Sequence, residues 1–476
     1  MSACCSIGPN SNGPYDLAVI GAGSAGFSAA ITAAEEGARV ALIGHGTIGG
    51  TCVNVGCVPS KTLIRGAESL HNARVAARFA GIRGEAGLHD WQSLVTQKDE
   101  LVTGLRQAKY VDLLPAYNRI AYVEGPARLA REGIHANGER LRAGKAIVAT
   151  GASAAPASIP GIEDIEYLTS TTALELPELP RSMLVIGGGY IGCELAQLFA
   201  RAGVRVTLVC RSRLLPEGEP EISAALAGYL GEEGIEVRTG LAYRRIRRSG
   251  GGIALYVALN GAEEALEAEV VLAATGRTPN TEGLGLADVD VALEENGGIR
   301  VDDRMRTNNP AVYAAGDVTG RHQFVYMAAY GARLAALNAL NGDAHRYDAT
   351  AVPRVTFTDP QVASVGLTET AAKSAGLDVK TSILPLDAVP RALAARDTRG
   401  LIKLVADKAT DRLLGVHILA PEGCDSIQTA ALAIKHGMTT RELGQTIFPY
   451  LTTVEGLKLA ALSFSKDVTK LSCCAG

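Results

Sequence analysis

The sequence has no strong excess of charge of either sign and no long apolar run. Its 46 Lys and Arg residues nearly balance 50 Asp and Glu residues, for a formal net charge of −4. A protein without a basic field attracts neither nucleic acid nor anionic lipid, so neither is an expected partner. No apolar stretch approaches the length of about 20 residues that a membrane-spanning helix needs, so no membrane span is expected. The hydrophobic fraction of 47% excludes a disordered chain.

The N-terminal residues lack the cationic flank and the apolar core of a secretory signal. We therefore expect a soluble cytoplasmic protein. At about 100–200 residues per domain, a chain of 476 residues is expected to form two to four domains.

The nine cysteines do not form the pattern of a structural disulfide framework. Their number is odd, and a chain of this length closes its own core without such bonds. In a reducing compartment, clustered thiols are typical of redox chemistry or soft-metal binding. The clusters are Cys4-Cys5, Cys52 with Cys57, and Cys473-Cys474.

Two segments predict dinucleotide-binding units. In the first, a buried strand (16–20), a glycine turn (21–26), a helix through Glu36 and a second strand (39–43) follow one another. The same order returns with strand 182–186, turn 187–192, a helix through Ala202 and strand 205–209. One such fingerprint is a weak signal, but two in the right context indicate two cofactors that exchange electrons. The glycines expected to let backbone N–H groups approach a pyrophosphate are Gly21, Gly23 and Gly26 in the first unit and Gly187, Gly189 and Gly192 in the second.

The end of the second strand in each unit indicates how a ribose is bound, because an acid usually stands there. In the first unit Gly44 and His45 take this place, so the ribose contact must differ. In the second unit Arg211 and Arg213 follow the strand, and arginine accommodates the 2′-phosphate of NADPH. NADPH is therefore the expected reductant. The alternative is that both arginines are solvated surface charges.

The segment 49–61 contains Cys52 and Cys57, close in sequence to the first nucleotide unit. Their separation allows a disulfide across a slightly distorted helical turn. A dithiol near an electron carrier can accept two electrons and deliver them as thiolates. The alternative is a pair of unrelated buried cysteines.

The order of elements predicts an α/β protein with two Rossmann-like nucleotide-binding domains and a C-terminal α+β domain. A short lead (1–14) precedes the first nucleotide-binding domain, which takes 15–151 and 276–346. The second takes 152–275. From about Tyr347, short strands and then amphipathic helices predict the third domain, 347–476.

These motifs, together with the segments 275–280 and 315–317, resemble those of the pyridine nucleotide-disulfide oxidoreductases from Tyr15 onward. The resemblance implies FAD at the first site and a homodimer formed through the third domain. It implies that Asp317 binds the ribityl chain and that Lys61 lies near the flavin N5. Other cofactor contacts expected of such a protein are Ala127 and Val325, through their backbones, and Gly46, Gly50, Thr51, Gly151, Glu194, Gly276 and Arg277.

The resemblance also implies separate roles for the inner cysteines. Cys57 would face the flavin as the charge-transfer thiolate, and Cys52 would be the exchanging thiol. Family members that reduce disulfides have a histidine that shuttles protons to this thiol. Tyr450 takes that position here, whereas Glu455 is retained. Tyrosine, with a pKa of about 10, is a poor proton shuttle at neutral pH, which favours metal-ion reduction over thiol–disulfide exchange.

The vicinal Cys473 and Cys474 suit capture of a soft cation, because thiolates select soft metals. Together with the inner pair and Tyr450, they resemble the family members that reduce Hg(II) to Hg(0) with NADPH. The resemblance implies that this tail takes Hg(II) from a thiol complex and delivers it to the inner pair of the other subunit. Tyr450 and Tyr110 would line that site.

Two other functions stay open. One is a flavin-dependent disulfide reductase of the glutathione or dihydrolipoamide type, or one with a C-terminal redox pair as in thioredoxin reductases. The other is a soft-metal-binding protein without turnover. The N-terminal Cys4-Cys5 pair is a further hypothetical site of metal capture.

Overall fold

The computed structural model describes residues 14–259 and 261–470. Its helices are α1 (Ser24–Glu35), α2 (Gly50–Asn54), α3 (Cys57–Arg74), α4 (Trp91–Arg106), α5 (Ser170–Ala173), α6 (Tyr190–Arg201), α7 (Pro220–Glu232), α8 (Val325–Asn341), α9 (Glu369–Ser374), α10 (Pro390–Ala395), α11 (Gly423–Lys435), α12 (Thr440–Gln445) and α13 (Glu455–Leu462). Its strands are β1 (Tyr15–Ile20), β2 (Val40–Gly44), β3 (Ile120–Glu124), β4 (Ala127–Ala130), β5 (Gly133–Ala136), β6 (Glu139–Leu141), β7 (Ala143–Val148), β8 (Ala152–Ala154), β9 (Ser182–Ile186), β10 (Arg205–Val209), β11 (Glu236–Arg238), β12 (Ala242–Ser249), β13 (Gly252–Leu259), β14 (Ala262–Ala268), β15 (Val270–Ala273), β16 (Arg277–Pro279), β17 (Val312–Ala314), β18 (Arg354–Thr356), β19 (Gln361–Gly366), β20 (Val379–Pro385), β21 (Leu401–Asp407) and β22 (Leu413–Ala420).

The first compact unit takes the described residues up to Thr62, with 93–155 and 276–348. Its centre is a parallel sheet in the order β17-β7-β1-β2-β3. The middle strands are apolar and buried on both faces, as parallel strands between helices must be. Helices α1 and α8 pack on one another through small side chains that let their backbones approach closely. The fully buried alanines of these two helices include Ala29, Ala30, Ala33, Ala332, Ala335 and Ala336.

The glycine turn of this unit connects β1 to α1 at the carboxyl edge of the sheet. Leu17 pairs with Val40 and Ile20 with Ile43, so β1 and β2 run side by side in parallel. Open parallel sheets bind ligands at this edge. The antiparallel sheet β4-β5-β6 and the pair β16-β8 also belong to the unit.

The second compact unit takes residues 63–92, 156–275 and the described residues from Ala349 onward. It contains a parallel sheet, β11-β10-β9-β15, and an antiparallel sheet, β12-β13-β14. Its C-terminal part is the antiparallel sheet β18-β19-β22-β21-β20. Apolar side chains of α11 and α13, among them Ile427 and Leu457, complete the core of that sheet.

The predicted α/β class with a C-terminal α+β part is confirmed. Strands predicted at 182–186 and 205–209 are β9 and β10 without a shift, whereas the strand predicted at 39–43 is displaced by one residue. Residues 63–92, predicted in the first nucleotide-binding domain, belong to the second compact unit. The domain boundaries stay predictions.

Candidate active site

The first glycine turn has room for glycine alone at two of its positions. A Cβ at Gly21, whose φ is +116°, would lie 2.3 Å from the carbonyl oxygen of Ala149. A Cβ at Gly26 would lie 1.7 Å from the carbonyl oxygen of Gly21. Gly23 is the N-cap of α1 and has no side chain to cap it. The N–H groups of the first turn of α1 therefore stay available for an anionic ligand.

The cysteine segment begins in direct contact with this turn. The N–H of Gly49 donates to the carbonyl oxygen of Ala22 at 2.9 Å. A Cβ at Gly50, whose φ is +68°, would lie 2.6 Å from the Cα of Gly23. The backbone at Gly49 and Gly50 therefore packs directly on the backbone of the glycine turn. As a result, α2, which contains Cys52, starts beside the N-terminus of α1.

The Asn54 side chain fixes the start of α2. Its Nδ2 donates to the carbonyl oxygens of Ile48 and Gly50, both at 2.9 Å. Its Oδ1 accepts a hydrogen bond from Nη1 of Arg106 at 3.2 Å. Gly56 closes the turn between the two cysteines, because a Cβ there would lie 2.9 Å from the carbonyl oxygen of Thr51. The two thiols are therefore held by a stiff backbone.

The thiols of Cys52 and Cys57 are half-buried and hydrogen-bonded to each other. This bond, and then burial, raise the pKa of Cys52, while the charge of Lys61 opposes the rise. Cys57 is the first residue of α3, an 18-residue helix whose N-terminus favours an anionic sulfur. The bond between the thiols and burial therefore both favour the protonated form of Cys52.

Tyr110 lies between the glycine turn and the cysteine segment. It is part of a π-helical turn, Gln107–Val111. Its hydroxyl lies 3.3 Å from Oγ of Ser24, and its ring meets the ring of Phe27 edge-on at 4.9 Å. A Cβ at Gly49 would come within 3.2 Å of the same ring. The first unit therefore brings together Tyr110, the glycine turn and the cysteine segment.

Asp317 and Arg277 also belong to the first unit. Asp317 begins a short 3₁₀ turn, Asp317–Thr319. Burial raises its pKa, and the guanidinium of Arg277, with Nε 3.9 Å from Oδ2, opposes this shift. Arg277 also donates to the carbonyl oxygen of Ala152.

The other predicted flavin contacts occupy turns and element ends of this unit. Thr51 and Lys61 belong to α2 and α3, Ala127 is the first residue of β4, and Val325 is the first residue of α8. Positive φ angles with open space where a Cβ would point are found at Gly46, Gly151 and Gly276.

The second glycine turn repeats the first. A Cβ at Gly187, with φ +123°, would lie 2.2 Å from the carbonyl oxygen of Ala274, and one at Gly192 would lie 1.8 Å from that of Gly187. Gly189 is the uncapped N-cap of α6, with open space in front of it. The carboxylate of Glu194, a predicted cofactor contact, accepts the N–H of Phe357 at 2.9 Å.

Arg211 and Arg213 differ in their surroundings. Nη2 of Arg213 donates to the carbonyl oxygens of Pro216 and Gly218 at 2.7 and 2.6 Å, so this guanidinium holds the following loop. The exposed Arg211 lies with its guanidinium carbon 5.8 Å from the centre of the Tyr243 ring. Arg211 is therefore the better placed of the two to meet a phosphate group.

Tyr450 and Glu455 belong to the second unit. Tyr450 is 47% exposed, whereas Glu455 is buried and begins α13. The Glu455 carboxylate accepts the N–H of Leu451, which has a φ of +62°, at 3.3 Å. Glu455 thus fixes the turn that presents Tyr450. The predicted cysteines at 4, 5, 473 and 474 lie outside the described residues.

The sequence analysis gave no role to three residues that make contacts around the first glycine turn and the cysteine segment, namely Asn54, Arg106 and Tyr122. Asn54 lies inside the cysteine segment, so its position alone could have drawn attention to it. Arg106 is 52 residues from Asn54, and Tyr122 is 78 residues from the end of β2, which it contacts. No local pattern connects such distant positions.

Two family models match this chain. The first, described as pyridine nucleotide-disulphide oxidoreductase, matches residues 15–334, and the second, the dimerisation domain of the same family, matches 352–461. This protein belongs to the pyridine nucleotide-disulphide oxidoreductase family.

Several curated members of the family resemble this protein along nearly its whole length. The mercuric reductase of Lysinibacillus sphaericus is 50% identical over 97% of this chain and 85% of its own. The mercuric reductase of Staphylococcus aureus is 47% identical over 99% of this chain and 86% of its own. The mercuric reductase of Streptomyces lividans is 47% identical over 97% of this chain and 98% of its own. Among solved structures, the HOCl-induced flavoprotein disulfide reductase RclA from Escherichia coli is 31% identical, with a TM-score of 0.83 over 95% of this chain and 100% of its own. A Cu(II) complex of RclA is 30% identical to this chain, with a TM-score of 0.83 over 95% of this chain and 100% of its own.

As a pyridine nucleotide-disulphide oxidoreductase, the protein is an enzyme that uses FAD and a reduced nicotinamide nucleotide. The structure fits both, because each compact unit contains a glycine turn before an uncapped 12-residue helix. The matched dimerisation domain indicates a homodimer. Along 14–259 and 261–470, every helix is too short or too polar to span a lipid bilayer.

Proposed function

We propose that this protein reduces Hg(II) to Hg(0) with electrons from NADPH, and that Cys52 and Cys57 bind the ion. The observation that carries the proposal is the hydrogen-bonded cysteine pair set against the first glycine turn, in a chain 47–50% identical to three mercuric reductases. Hg(II) is a soft ion that thiolates bind in preference to oxygen ligands. One NADPH and one Hg(II) give one NADP⁺, one H⁺ and one Hg(0).

FAD, when bound, takes an electron pair from reduced nicotinamide and makes it available at the dithiol. The first glycine turn would hold its pyrophosphate on the N–H groups of α1, and Asp317 its ribityl chain. The second glycine turn would hold NADPH in the same way, with Arg211 toward the 2′-phosphate. Arg213 would support Arg211 by holding the loop beside it.

The cysteines would bind the ion as two thiolates. Cys57, at the N-terminus of α3, would be the first thiolate, whereas the thiol of Cys52 keeps its proton. Binding of Hg(II) would release this proton, so affinity should rise with pH. Lys61 assists the release, because its charge favours the ionised form of Cys52.

Two tyrosines would complete the site. Tyr110 contacts the glycine turn in the same unit as the cysteines. Tyr450 would come from the partner subunit, with Glu455 as the positioning residue for its turn. A phenol in place of a histidine is a poor proton shuttle for a thiol leaving group, and Hg(II) reduction needs none.

Delivery of the ion belongs to the same proposal. Cys473 and Cys474 of one subunit would take Hg(II) from a small thiol and pass it to Cys52 and Cys57 of the other by thiolate exchange. Cys4 and Cys5 would add a further capture site. A reaction that requires reduced thiols would take place in the cytoplasm.

Turnover with Hg(II) in excess thiol tests the proposal. NADPH oxidation, followed at 340 nm, should accompany release of mercury vapour in equal amount. Cys52→Ser and Cys57→Ser should each lower turnover at least about 100-fold, since each removes one of two thiolate ligands. Cys424→Ser, a change at a half-buried cysteine of the other unit, is the matched control and should keep full turnover. NADPH oxidation without mercury vapour would overturn the proposal.

Disulfide reduction is the second candidate function, and the likeness to the flavoprotein disulfide reductase RclA favours it. Oxidised glutathione, lipoamide and thioredoxin would then stimulate NADPH oxidation in place of Hg(II). Binding of Hg(II) without NADPH oxidation would instead indicate a sequestering protein.

A further inference from the structure

The end of β2 has no room for a side chain. A Cβ at Gly44 would lie 2.5 Å from the hydroxyl oxygen of Tyr122 and 2.9 Å from Cε2 of the same ring. It would also lie 2.8 Å from the Cβ of Ala22, the second residue of the glycine turn. An acid at position 44, the usual ribose ligand in such units, is therefore excluded by Tyr122.

Tyr122 brings a polar group to the place from which that acid would extend. β2 and β3 are parallel, with Leu42 opposite Tyr122 and Gly44 opposite Glu124. Because alternate residues of a strand share a face, the side chains of Tyr122 and Glu124 leave β3 on the same side. The Tyr122 ring packs on the core of the sheet, and its hydroxyl ends beside the glycine turn.

The Tyr122 hydroxyl is available to a ligand. It makes no hydrogen bond with any other residue that the structure describes. Burial raises the pKa of Tyr122, and the nearby charge of Glu124 adds to the rise. The phenol is therefore protonated at neutral pH and can both donate and accept a hydrogen bond. Glu124 is exposed at the rim beside it.

We propose that Tyr122 replaces the missing acid and hydrogen-bonds a hydroxyl of the adenosine ribose of FAD, with Glu124 as the neighbouring acceptor at the rim. The proposal rests on the assignment of the first glycine turn to FAD. The roles of Gly44 and Tyr122 depend on each other, since the tyrosine hydroxyl reaches this position only because residue 44 has no side chain.

Loss of FAD from the holoenzyme on dilution, followed by flavin fluorescence, is the first test. Tyr122→Phe keeps the ring and removes the hydroxyl, so FAD affinity should fall about 3- to 10-fold, the value of one hydrogen bond. Tyr15→Phe is the matched control. Tyr15 begins β1 in the same sheet, at the edge opposite the glycine turn, with its ring under the Arg39 guanidinium, and FAD affinity should not change.

Reconstitution with FAD analogues that lack the 2′- or the 3′-hydroxyl of the adenosine ribose identifies the bond. In the wild-type protein, one analogue should bind about 3- to 10-fold more weakly than FAD. In Tyr122→Phe, the same analogue and FAD should bind with equal affinity. Equal losses in both proteins would overturn the proposal, because the deleted hydroxyl would then have another partner.

A double substitution tests the exclusion of an acid. Gly44→Glu alone should prevent tight FAD binding, because its Cβ meets Tyr122. Gly44→Glu combined with Tyr122→Ala removes the contacts with the ring, though not the one with the Cβ of Ala22, and should regain part of the affinity. Full affinity in Tyr122→Phe, with folding checked by circular dichroism, would overturn the role of Tyr122. A wild-type protein purified without flavin would instead overturn the proposed function.

Discussion

Cys52 and Cys57 have the same chemistry but different local surroundings. Cys57 begins a long helix, while Cys52 belongs to a helix of five residues and keeps its proton in the hydrogen bond to Cys57. The asymmetry comes from backbone position and from the hydrogen bond between the two thiols. We expect this asymmetry to set which sulfur is anionic before substrate arrives.

Lys61→Met should shift the pH dependence of thiol alkylation. The lysine charge lowers the pKa of Cys52 against the hydrogen bond to Cys57 and burial, both of which raise it. Removing that charge raises the pKa further, and alkylation requires the thiolate. The rate at Cys52 at a fixed pH should fall, about tenfold for each unit by which the pKa rises.

Iodoacetamide labelling of the reduced enzyme across pH, with mass spectrometry at each cysteine, measures this shift. Lys109→Met, at an exposed lysine of the same unit, is the control. A profile in Lys61→Met identical to that of the wild type would show that the lysine does not act on Cys52.

Substitutions of Arg211 and of Arg213 should have different effects, the first on NADPH kinetics and the second on stability. Arg211→Ala is expected to lower kcat/KM for NADPH about tenfold or more and to leave that for NADH nearly unchanged, since only NADPH has a 2′-phosphate. Arg213→Ala removes two bonds to loop carbonyls, so it should lower the melting temperature. An Arg211→Ala enzyme with an unchanged ratio of NADPH to NADH efficiency would contradict the assignment.

At the scale of elements, the two glycine turns are packed tightly against backbone. At Gly26 and Gly192 the added Cβ would meet a backbone oxygen at less than 2 Å, so the strand and helix must separate to accept it. Both turns leave the helix N-terminus uncapped, which is a cost unless a ligand accepts those N–H groups.

Gly26→Ala should destabilise the first unit by several kcal/mol and abolish FAD retention, because overpacking against backbone cannot relax through a side chain. Gly104→Ala is the matched control, at an exposed position of α4 with nothing within 4 Å of the new Cβ. It should stabilise the helix by up to about 1 kcal/mol. Urea unfolding and bound flavin per subunit measure both effects. Equal stability of the two variants would contradict this account.

The elements around the glycine turns were predictable because their signals are local. An apolar strand, a glycine turn and a helix follow one another in the sequence, and β9 and β10 agree with prediction at both ends. Contacts between distant segments were not predictable. The stacking of Gly50 on Gly23, the bond from Arg106 to Asn54 and the position of Tyr122 depend on how β3, α2 and α4 meet in space.

At the scale of the whole molecule, the inner cysteines and the turn of Tyr450 belong to different compact units of one chain. The matched dimerisation domain supplies a second copy of each. The proposed exchange of metal between subunits would assemble each site from two chains, and mixed dimers can test it.

A heterodimer of complementary variants should regain turnover with thiol-complexed Hg(II). One subunit has Cys52→Ser and Cys57→Ser with an intact tail, and the other has Cys473→Ala and Cys474→Ala with an intact inner pair. If the tail of one subunit delivers to the other subunit, such a dimer has one working site and should show about half of wild-type activity. Delivery within a subunit gives none. Each homodimer, inactive by itself on this substrate, is the control, and flavin reduction by NADPH should persist wherever the tail alone is changed.

The contact between Gly50 and Gly23 has a genetic consequence. A side chain at position 50 would collide with a Cα, an atom common to all twenty amino acids, so no replacement at position 23 could make space for it. Selection for mercury-resistant revertants of a Gly50→Val strain should therefore return the original codon and no second-site suppressor at the residue opposite.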